Sequence, residues 1–456
     1  MKNKFSLLLL LAVLMSGCSR KSTSTDELLL SGNAGLQNGP MLGYVDMREV
    51  LVWAQTKSSA YVSMEYWETS KPEKIYSTTE MPTWKENGYT AKCIADQVQP
   101  GTEYTYRINI NRKTVKLPYP TTFKTQPIWR WRTDPPPFSV AAGSCTYINE
   151  EPFDRPGKPY GSNYQIFNSI HQQKPDVMLW LGDNVYYREP DWNTRTGMVH
   201  RNTHARAIPE MQPLLASTAH YAIWDDHDFG PNDSDGTWVH KDMAWETVRD
   251  FWGNPTFGVN GQKGCTTKFD FIDMDFFLLD NRYFRTPNQC KTCPDRTALG
   301  KEQLNWFLQA LAASTAPFKM VAIGGQVVTT NDRHETYIHL FPAERDTILN
   351  FIERENIKGV VFLTGDRHFT ELSALKNKAG NWVYDLTTSP LTSGVYADAG
   401  SKESNSHRVE GTFVGQHNFS MLRFSGPRTS RQLEIKNYDI AGKELWTKTI
   451  TAEGIR

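Results

Sequence analysis

Short runs in which apolar and polar residues alternate fill the chain from residue 41 to 123. They cover residues 50–54, 60–67, 90–94 and 104–110, and turn-rich segments such as Gln99-Pro100-Gly101 separate them. Alternation with a period of two is typical of strands that bury one face. Several short strands at this spacing predict a small all-β sandwich.

From residue 138 onward, continuous apolar runs alternate with segments of helical spacing. A short apolar run between turn residues fits a strand that is buried on both faces of a sheet. Strands are predicted at 138–142, 177–181, 219–224, 269–279, 319–323 and 359–363, and short strands return over 418–451. Helices are predicted at 163–173, 299–311 and 345–354. This alternation predicts a mixed α/β domain with helices flanking sheets.

The pattern divides the chain into four parts. Residues 1–18 form a leader, 19–40 a Ser/Gly/Asn-rich tether, 41–126 the β-sandwich and 138–456 the α/β domain. Pro127 and the run Pro135-Pro136-Pro137 predict a stiff linker between the last two. Three loops carry no readable code for a substrate: 157–163, 194–213 and 391–407.

The leader has the features of an export signal. Lys2 and Lys4 precede a short apolar run, which is too short to span a bilayer and ends at Ser16-Gly17-Cys18. The Cys resembles the lipidated residue of bacterial lipoproteins, and an ordinary secretory signal is the alternative. Both predict a protein of the cell envelope outside the cytoplasm. The first adds a membrane anchor through a lipid on Cys18, facing the periplasm or the exterior.

Charge and cysteine usage narrow the function further. Lys+Arg and Asp+Glu both number 50, so no net field favours nucleic acid. Beyond Cys18 the chain has five cysteines, which is an odd number. An oxidising compartment favours a disulfide that involves Cys290 or Cys293, with Cys265 as a further candidate partner and Cys93 unassigned. A zinc site at Cys290 and Cys293 is the weaker alternative, and Cys145 is the candidate for a thiol with another role.

Metal-ligating side chains follow four of the predicted strands. They are Cys145, Asp183 with Tyr186, Asp226 with His227, and Asp366 with His368. Ligands of open α/β sheets bind just outside the carboxyl ends of the strands. A single Asp in a turn is common, but four such strand ends in one domain favour a shared site. Thiolate, phenolate, imidazole and carboxylate together suit a transition metal beside an oxygen-loving cation.

The order of these motifs resembles the calcineurin-like metallophosphoesterase superfamily and, within it, the PhoD-like alkaline phosphatase D family. The motifs are Gly143-Ser144-Cys145, Gly182-Asp183-Asn184-Val185-Tyr186, Trp224-Asp225-Asp226-His227-Asp228, Asp280-Asn281-Arg282-Tyr283 and Thr364-Gly365-Asp366-Arg367-His368. The resemblance extends from about residue 41 to the C-terminus. It implies an α/β (α+β) sandwich of sheets flanked by helices, after a small fibronectin-like or immunoglobulin-like β domain. In that domain Pro100-Gly101 and Tyr104 resemble a tyrosine corner.

The resemblance also implies a binuclear metal centre. Asp183 corresponds to the carboxylate that bridges two metals, and Tyr186, Cys145 and His368 correspond to ligands of ferric iron. The alternative for Cys145 is a buried structural residue.

A second cation would be held by oxygen ligands. Asp366 stands where the superfamily has the first His of a His-x-His pair, and this all-oxygen set favours Ca²⁺ over Zn²⁺. Asp226 and Asn232 both remain candidates for the remaining ligand. His227 corresponds to the general acid, with a structural histidine as the alternative.

Two arginines complete the predicted site. Arg282 and Arg367 are candidate phosphate clamps because a guanidinium matches the geometry of phosphate oxygens. Their alternative is a structural ion pair with a neighbouring carboxylate.

The implied activity is hydrolysis of phosphoric esters, as in an alkaline phosphatase or phosphodiesterase, by attack of a metal-held hydroxide on phosphorus. The alternatives are a phosphodiesterase of the same fold that acts on phospholipid or a wall polymer, and a non-catalytic surface lipoprotein that binds phosphate or glycan.

Overall fold

Two β-rich units account for the computed structural model, which describes residues 34–452. The leader, Cys18 and most of the tether lie outside the described residues. Within residues 34–452 no helix is both long and apolar enough to cross a bilayer.

The first unit is the predicted all-β sandwich. Its strands are β1 (Leu36–Val45), β2 (Val50–Thr56), β3 (Ala60–Glu68), β4 (Tyr76–Ser77), β5 (Met81–Thr83), β6 (Thr90–Ala95), β7 (Glu103–Ile110), β8 (Lys113–Thr114) and β9 (Thr122–Lys124). One sheet has the order β1-β2-β6, and the other has the order β4-β3-β7-β8 with β5 and β9 beside β3 and β7.

Two features of this unit bear on the sequence predictions. The backbone N–H of Gln99 donates to the hydroxyl of Tyr104 at 2.8 Å, which confirms the tyrosine corner. Strand β1 begins at Leu36, so residues 36–40 of the predicted tether are strand. Gly39 and Asn38 concealed it, because such residues are typical of loops; here the Asn38 side chain donates to Gln55 at 2.8 Å.

The second unit is the predicted α/β domain. Its strands are β10 (Phe138–Gly143), β11 (Val177–Leu181), β12 (Ala219–Ile223), β13 (Thr267–Phe271), β14 (Met274–Leu278), β15 (Lys319–Ala322), β16 (Val360–Thr364), β17 (Glu371–Lys376), β18 (Trp382–Thr387), β19 (Asn418–Ser425), β20 (Gln432–Asp439) and β21 (Glu444–Thr451). Its helices are α1 (Gln165–Gln172), α2 (Arg195–Arg206), α3 (Gln212–Ser217), α4 (Asp226–Phe229), α5 (Lys241–Phe251), α6 (Lys301–Ala313), α7 (Tyr337–Leu340), α8 (Pro342–Arg354) and α9 (Ala399–Lys402).

These strands form two six-stranded mixed sheets. One has the order β12-β11-β10-β19-β20-β21, and the other has the order β13-β14-β15-β16-β18-β17. The strands β10, β11 and β12 run parallel in the first sheet, and β14, β15, β16 and β18 run parallel in the second. Parallel strands of one sheet end at the same edge, so each sheet presents a row of carboxyl ends.

The side-chain alternation of the second sheet separates two cores. Met320 and Leu363 belong to the large core that also holds strands of the first sheet. Val321 and Phe362, one position away, pack with Phe307 of α6 and other apolar residues of the helices on the outer face. Successive side chains of a strand point to opposite faces, so the continuous apolar runs follow from burial on both faces.

The prediction of a single strand over residues 269–279 is wrong. Residues Thr267–Phe271 and Met274–Leu278 form two antiparallel strands joined by a tight turn. Ile272 in that turn has a φ of 56°, in the left-handed region that apolar β-branched residues rarely occupy. The turn contains no Gly or Pro, the residues that usually mark a turn in a sequence. The surrounding apolar residues therefore predicted one continuous strand.

Two of the longer helices replace a predicted loop or an unassigned segment. Residues 195–206 form helix α2 inside a predicted loop, and residues 241–251 form helix α5. Helix α2 buries Arg201, Asn202 and Arg206 beside Met198 and Ala205, so its buried face is largely polar and gives only a weak hydrophobic period. Arg201 is neutralised by Asp191 at 2.8 Å.

The β-sandwich and the α/β domain share one continuous apolar core. The indole N–H of Trp53 in β2 donates to the carbonyl of Asp250 at 2.8 Å. The Tyr106 hydroxyl donates to the carbonyl of Ala216 at 2.7 Å. Apolar burial combined with satisfied polar groups makes the sandwich a structural support for helices α3 and α5.

Candidate metal centre

The predicted site residues converge at the carboxyl edge of both sheets. Cys145 follows β10, Asp183 follows β11 and Asp226 follows β12 of the first sheet. Asp366 and His368 follow β16 of the second sheet. The packing of the two six-stranded sheets of the α/β domain thus brings their strand ends together, which spacing along the chain alone does not reveal.

Four of these residues have backbone conformations that residues other than Gly rarely adopt. The φ angles are 58° at Cys145, 52° at Asp183, 65° at Asp366 and 55° at His368. A left-handed conformation at a residue other than Gly costs about 1–3 kcal/mol and persists only where surrounding contacts fix it. Strain of this kind clusters at functional sites, so its recurrence at four strand ends is an independent mark of the site.

The first group of candidate ligands joins a thiol, a carboxylate and an imidazole. Cys145, Asp183 and His368 are all buried, and each offers one ligand atom within 4.8 Å of the others. The Cys145 sulfur lies 3.7 Å from Asp183 Oδ2. The Tyr186 hydroxyl donates to the same carboxylate oxygen at 3.0 Å, which adds a phenol oxygen to the group.

Second contacts hold these ligands in place. The Ser389 hydroxyl donates to the Cys145 sulfur at 3.1 Å and accepts the backbone N–H of His368 at 3.0 Å. His368 Nδ1 lies 2.6 Å from the Gly394 carbonyl, so Nδ1 carries the proton and Nε2 is left for a cation. Hydrogen bonding of this kind fixes the ring orientation of histidine ligands.

The second group shares Asp183. Asp183, Asp226 and His227 also offer ligand atoms within 4.8 Å of one another. Asp183 therefore belongs to both groups, as expected of a carboxylate between two cations. His227, predicted as the general acid, also offers a ring nitrogen to this second group. Its position is therefore compatible with a general acid or with a metal ligand.

The carboxylate of Asp228 fixes the two strand ends relative to each other. It accepts the backbone N–H groups of Asn184 at 2.9 Å, Val185 at 3.2 Å and Asp225 at 2.9 Å. Burial raises the pKa of Asp228 to about 7. Through these three hydrogen bonds the buried carboxyl group connects the loop after β11 to the start of helix α4.

The other predicted ligands line the same cavity. Asp366 and Asn232 are both on its wall, but Asp366 lies outside the two groups that share Asp183. Burial, followed by the nearby Glu335 and Asp225 carboxylates, raises the pKa of Asp366 to about 7.

The two predicted arginines differ in position. Arg367 lines the cavity and pairs with Glu403 at 2.5 Å, while its Nε is buried without a hydrogen-bond partner. Arg282 does not line the cavity. Its side chain is 1% exposed and forms ion pairs with Asp225 and Glu335.

The contacts of Arg282 match the structural alternative rather than a phosphate clamp. Its donors contact Asp225, Glu335 and the Ser234 carbonyl, so protein groups rather than a substrate oxygen hold the guanidinium. The motif alone gave no sign of this, because Glu335 lies 53 residues away along the chain.

The cavity has a volume of about 470 Å³. It includes residues that the sequence analysis did not single out: Tyr147, Arg155, Tyr160, Arg188, Asp233, Asn288, Gln289, His334, Glu335 and Tyr396. Most of them come from loops without a motif. The aromatic residues of 147–160 and the Gly394-Val395-Tyr396 segment were the available signal, because ligand sites are often lined by aromatic side chains.

The donor set fits a pair of cations on two observations. Burial and the Asp226 carboxylate raise the pKa of Asp183 well above its ordinary value, because desolvation and a neighbouring negative charge both disfavour its ionised form. Asp226 Oδ1 is buried and accepts no hydrogen bond, and its ion pair with Arg282 is long, at 3.7 Å. Buried charges are paired or coordinate metals, so the crowded Asp183 carboxylate and this weakly paired oxygen fit a site that binds a cation.

Cys290 and Cys293 form a disulfide, as the compartment argument predicted, and Cys93, Cys145 and Cys265 are free and buried. Within residues 34–452, Cys265 therefore has no disulfide partner. The bridge closes residues 290–293, directly after Asn288 and Gln289 of the cavity wall.

Comparisons with solved structures agree with this architecture. A structure described as "Structure of PhoD" superposes with a TM-score of 0.73 at 18% identity, covering 92% of this chain and 93% of that one. A purple acid phosphatase from yellow lupin seeds superposes with a TM-score of 0.63 at 12% identity, covering 91% and 74%. At these identities the likeness concerns the fold, and it confirms the predicted metallophosphoesterase-like sandwich.

Comparisons of sequence identify the family. Alkaline phosphatase D of Bacillus subtilis (strain 168) is 23% identical over 368 residues. That alignment covers 68% of this chain and 59% of the relative, so the chain spans about six tenths of that protein's length. A domain of unknown function (DUF7800) matches residues 33–128, and the PhoD-like phosphatase profile matches residues 141–428. The chain belongs to the PhoD-like phosphatase family.

Proposed function

We propose that this protein hydrolyses phosphoric esters with a pair of cations. The observation that carries the proposal is the shared position of Asp183 in two groups of metal-ligating side chains at one cavity. Family membership and the purple acid phosphatase-like fold support it. Two cations held there would supply Lewis-acid chemistry, which polarises phosphoryl oxygens and lowers the pKa of water.

The chain's own residues then bind and orient the ester. Arg367 presents its guanidinium to the cavity, with Glu403 holding it in place, and it binds a phosphoryl oxygen. His227 donates a proton or a hydrogen bond to the departing alcohol oxygen. Asp228 keeps the two strand ends at a fixed separation, so the charged groups need no rearrangement during the reaction.

We propose ferric iron with Ca²⁺ as the cations. The thiol of Cys145 and the phenol of Tyr186 beside His368 favour iron among the biological metals. Asp226, Asn232 and Asp366 offer oxygen only, which suits Ca²⁺. This proposal is separate from the hydrolytic activity, because other cations also catalyse ester hydrolysis.

We propose that the protein works at the cell envelope, anchored by a lipid on Cys18. The leader pattern supports this, and it lies outside the described residues. An extracytoplasmic location is also compatible with the disulfide between Cys290 and Cys293.

The test combines metal content, colour and turnover. Protein purified without chelator should contain close to two metal ions per chain, including iron, and should hydrolyse a p-nitrophenyl phosphate monoester or diester. Iron held by thiolate and phenolate should give a visible charge-transfer band. Asp183→Asn should lose at least one metal and lower kcat by more than about 10³-fold, because the shared carboxylate would hold both cations.

Asp346→Asn is the matched control. Asp346 is an exposed carboxylate of helix α8 away from the cavity, so this variant should keep metal content and turnover. Full turnover in Asp183→Asn would contradict the two-cation proposal. A colourless, zinc-only protein with full activity would contradict iron and leave the hydrolase standing.

A further inference from the structure

One wall of the cavity carries three tyrosines that the metal centre does not use: Tyr147, Tyr160 and Tyr396. We call them the aromatic shelf. Tyr160 is 37% exposed and Tyr396 is 52% exposed. Large apolar side chains at this level of exposure inside a concave site leave ring surface available to a ligand.

The shelf is held rigidly. The Tyr147 ring meets Tyr160 edge to face, with centroids 5.0 Å apart, and its hydroxyl donates to Asp154 at 2.6 Å. The Tyr396 ring stacks on His368 with centroids 5.0 Å apart, and its backbone N–H donates to the His368 carbonyl at 3.0 Å. Aromatic side chains fixed in this way contribute contact area at a low cost in conformational entropy.

The shelf also lies beside the reacting centre. The Tyr160 ring centroid is 6.1 Å from that of His368 and 6.2 Å from that of Tyr186. A group carried by an ester at the metal centre would therefore lie next to the shelf. Tyr160 and Tyr396 contact the candidate ligand His368, and both also line the cavity.

Polar side chains line the same cavity. Gln289 and Arg155 do so together with Asn288, whose amide donates to Glu335 and accepts from Arg285 at 3.1 Å. A π surface in a cavity that also holds amide and guanidinium groups suits a flat ring with polar edges, because its face stacks and its edge forms hydrogen bonds. A small inorganic phosphate would leave the ring surface unused.

We propose that the aromatic shelf is a subsite for a planar aromatic ring, aryl or nucleoside-type, carried by one alcohol of the phosphoric ester. This inference rests on the proposed function and names the class of ester that the site prefers. Stacking on the shelf would orient the ester while Arg367 and the metal centre hold its phosphoryl group.

Direct binding tests the subsite without turnover. The metal-loaded full chain is titrated by calorimetry with benzylphosphonate, cyclohexylmethylphosphonate and ethylphosphonate, none of which has an ester bond to hydrolyse. Benzylphosphonate should bind about ten-fold more tightly than ethylphosphonate, because only the benzyl ring can stack on the tyrosines. The saturated ring has similar size but is not flat, so it should bind about five-fold more weakly than the benzyl ligand.

Variants assign the preference to the shelf. Tyr160→Ala and Tyr396→Ala should each remove most of the benzyl preference and leave the Kd of ethylphosphonate within about two-fold. Tyr160→Phe and Tyr396→Phe should retain the preference, because the ring and not the hydroxyl makes the contact. Trp382→Ala, at an exposed aromatic outside the cavity, is the control and should change neither Kd.

Equal Kd values for the three ligands, including no measurable binding of any, would overturn the subsite. So would a benzyl preference that survives both alanine substitutions, or a saturated ring that binds as tightly as the flat one. Hydrolysis of p-nitrophenyl esters is measured separately on the same protein. A protein that binds benzylphosphonate selectively and hydrolyses nothing would contradict the phosphatase and leave the subsite standing.

Discussion

At the scale of the residue, the site is marked by unusual backbone conformations as much as by side-chain chemistry. Cys145, Asp183, Asp366 and His368 all have left-handed φ angles. Each places its side chain just beyond a buried strand, where a regular extended residue would continue along the sheet. The cost is about 1–3 kcal/mol per residue, and the packed strands before them and the hydrogen bonds around them hold that conformation.

A buried histidine outside the site, His220 of β12, predicts how stability depends on pH. It is fully buried, accepts the Trp180 indole N–H at 2.9 Å and lies 3.1 Å from the Leu214 carbonyl. Burial lowers its pKa from 6.5 to about 4. The unfolded chain therefore binds a proton between those values that the folded chain excludes.

The stability that His220 contributes is fully present above about pH 6.5 and is lost as the pH falls towards 4. The loss should reach about 3 kcal/mol, since one pKa unit corresponds to 1.36 kcal/mol. Denaturant unfolding at pH 7, 5.5 and 4 measures it. His220→Gln, which keeps a donor and an acceptor but does not titrate, should flatten this part of the profile.

His339→Gln is the matched control, because His339 is exposed. It should leave the pH profile of the wild type unchanged. An unaltered profile in His220→Gln would show that other buried groups cause the acid sensitivity.

At the scale of the element, the strand-to-loop turn after β11 depends on close packing. Gly182 has a φ of 92°, and a Cβ added there would lie 2.7 Å from the Cβ of Asp225. The loops after β11 and β12 can therefore approach only if residue 182 has no side chain. This contact sets the distance between Asp183 and Asp226.

Gly182→Ala should destabilise the protein by about 3 kcal/mol, from backbone strain and from the clash with Asp225. Gly380→Ala separates the two causes. Gly380 has a φ of 88° and no atom within 4 Å of an added Cβ, so only the strain of about 1–2 kcal/mol applies. Thermal unfolding of both variants measures the difference, and equal losses would contradict a steric role for the contact.

At the scale of the whole molecule, the β-sandwich and the α/β domain form one folding unit. Trp53 is fully buried between them, with its ring centroid 5.8 Å from that of Phe251. The guanidinium of Arg206 lies over the Trp252 ring at 4.5 Å in the same interface. A shared core of this kind predicts cooperative unfolding.

Trp53→Ala should lower the free energy of unfolding by about 3–5 kcal/mol and shift a single calorimetric transition to lower temperature. Trp382→Ala, at an aromatic residue that is only partly buried, should change stability far less. Two separate transitions in the wild type, with only the lower one moved by Trp53→Ala, would contradict the single folding unit.

The sequence alone determined the elements that burial on both faces dictates. The strand at residues 177–181 has the predicted bounds, because its apolar run ends sharply at Gly182. The sequence pattern did not predict helix α2, whose buried face includes Arg201. It also did not predict the turn at Ile272, which lies inside an apolar run. Periodicity reports apolar burial, so a polar buried face or a turn of apolar residues leaves no trace.

The same division holds for the site. The residue types at the strand ends predicted Cys145, Asp183, Asp226 and His368 as neighbours, because parallel strands end at one edge. Only the tertiary structure showed that Asp183 belongs to both ligand groups and that Arg282 is paired with Glu335 beneath the cavity. The aromatic shelf is likewise a product of folding, since loops more than 200 residues apart meet there.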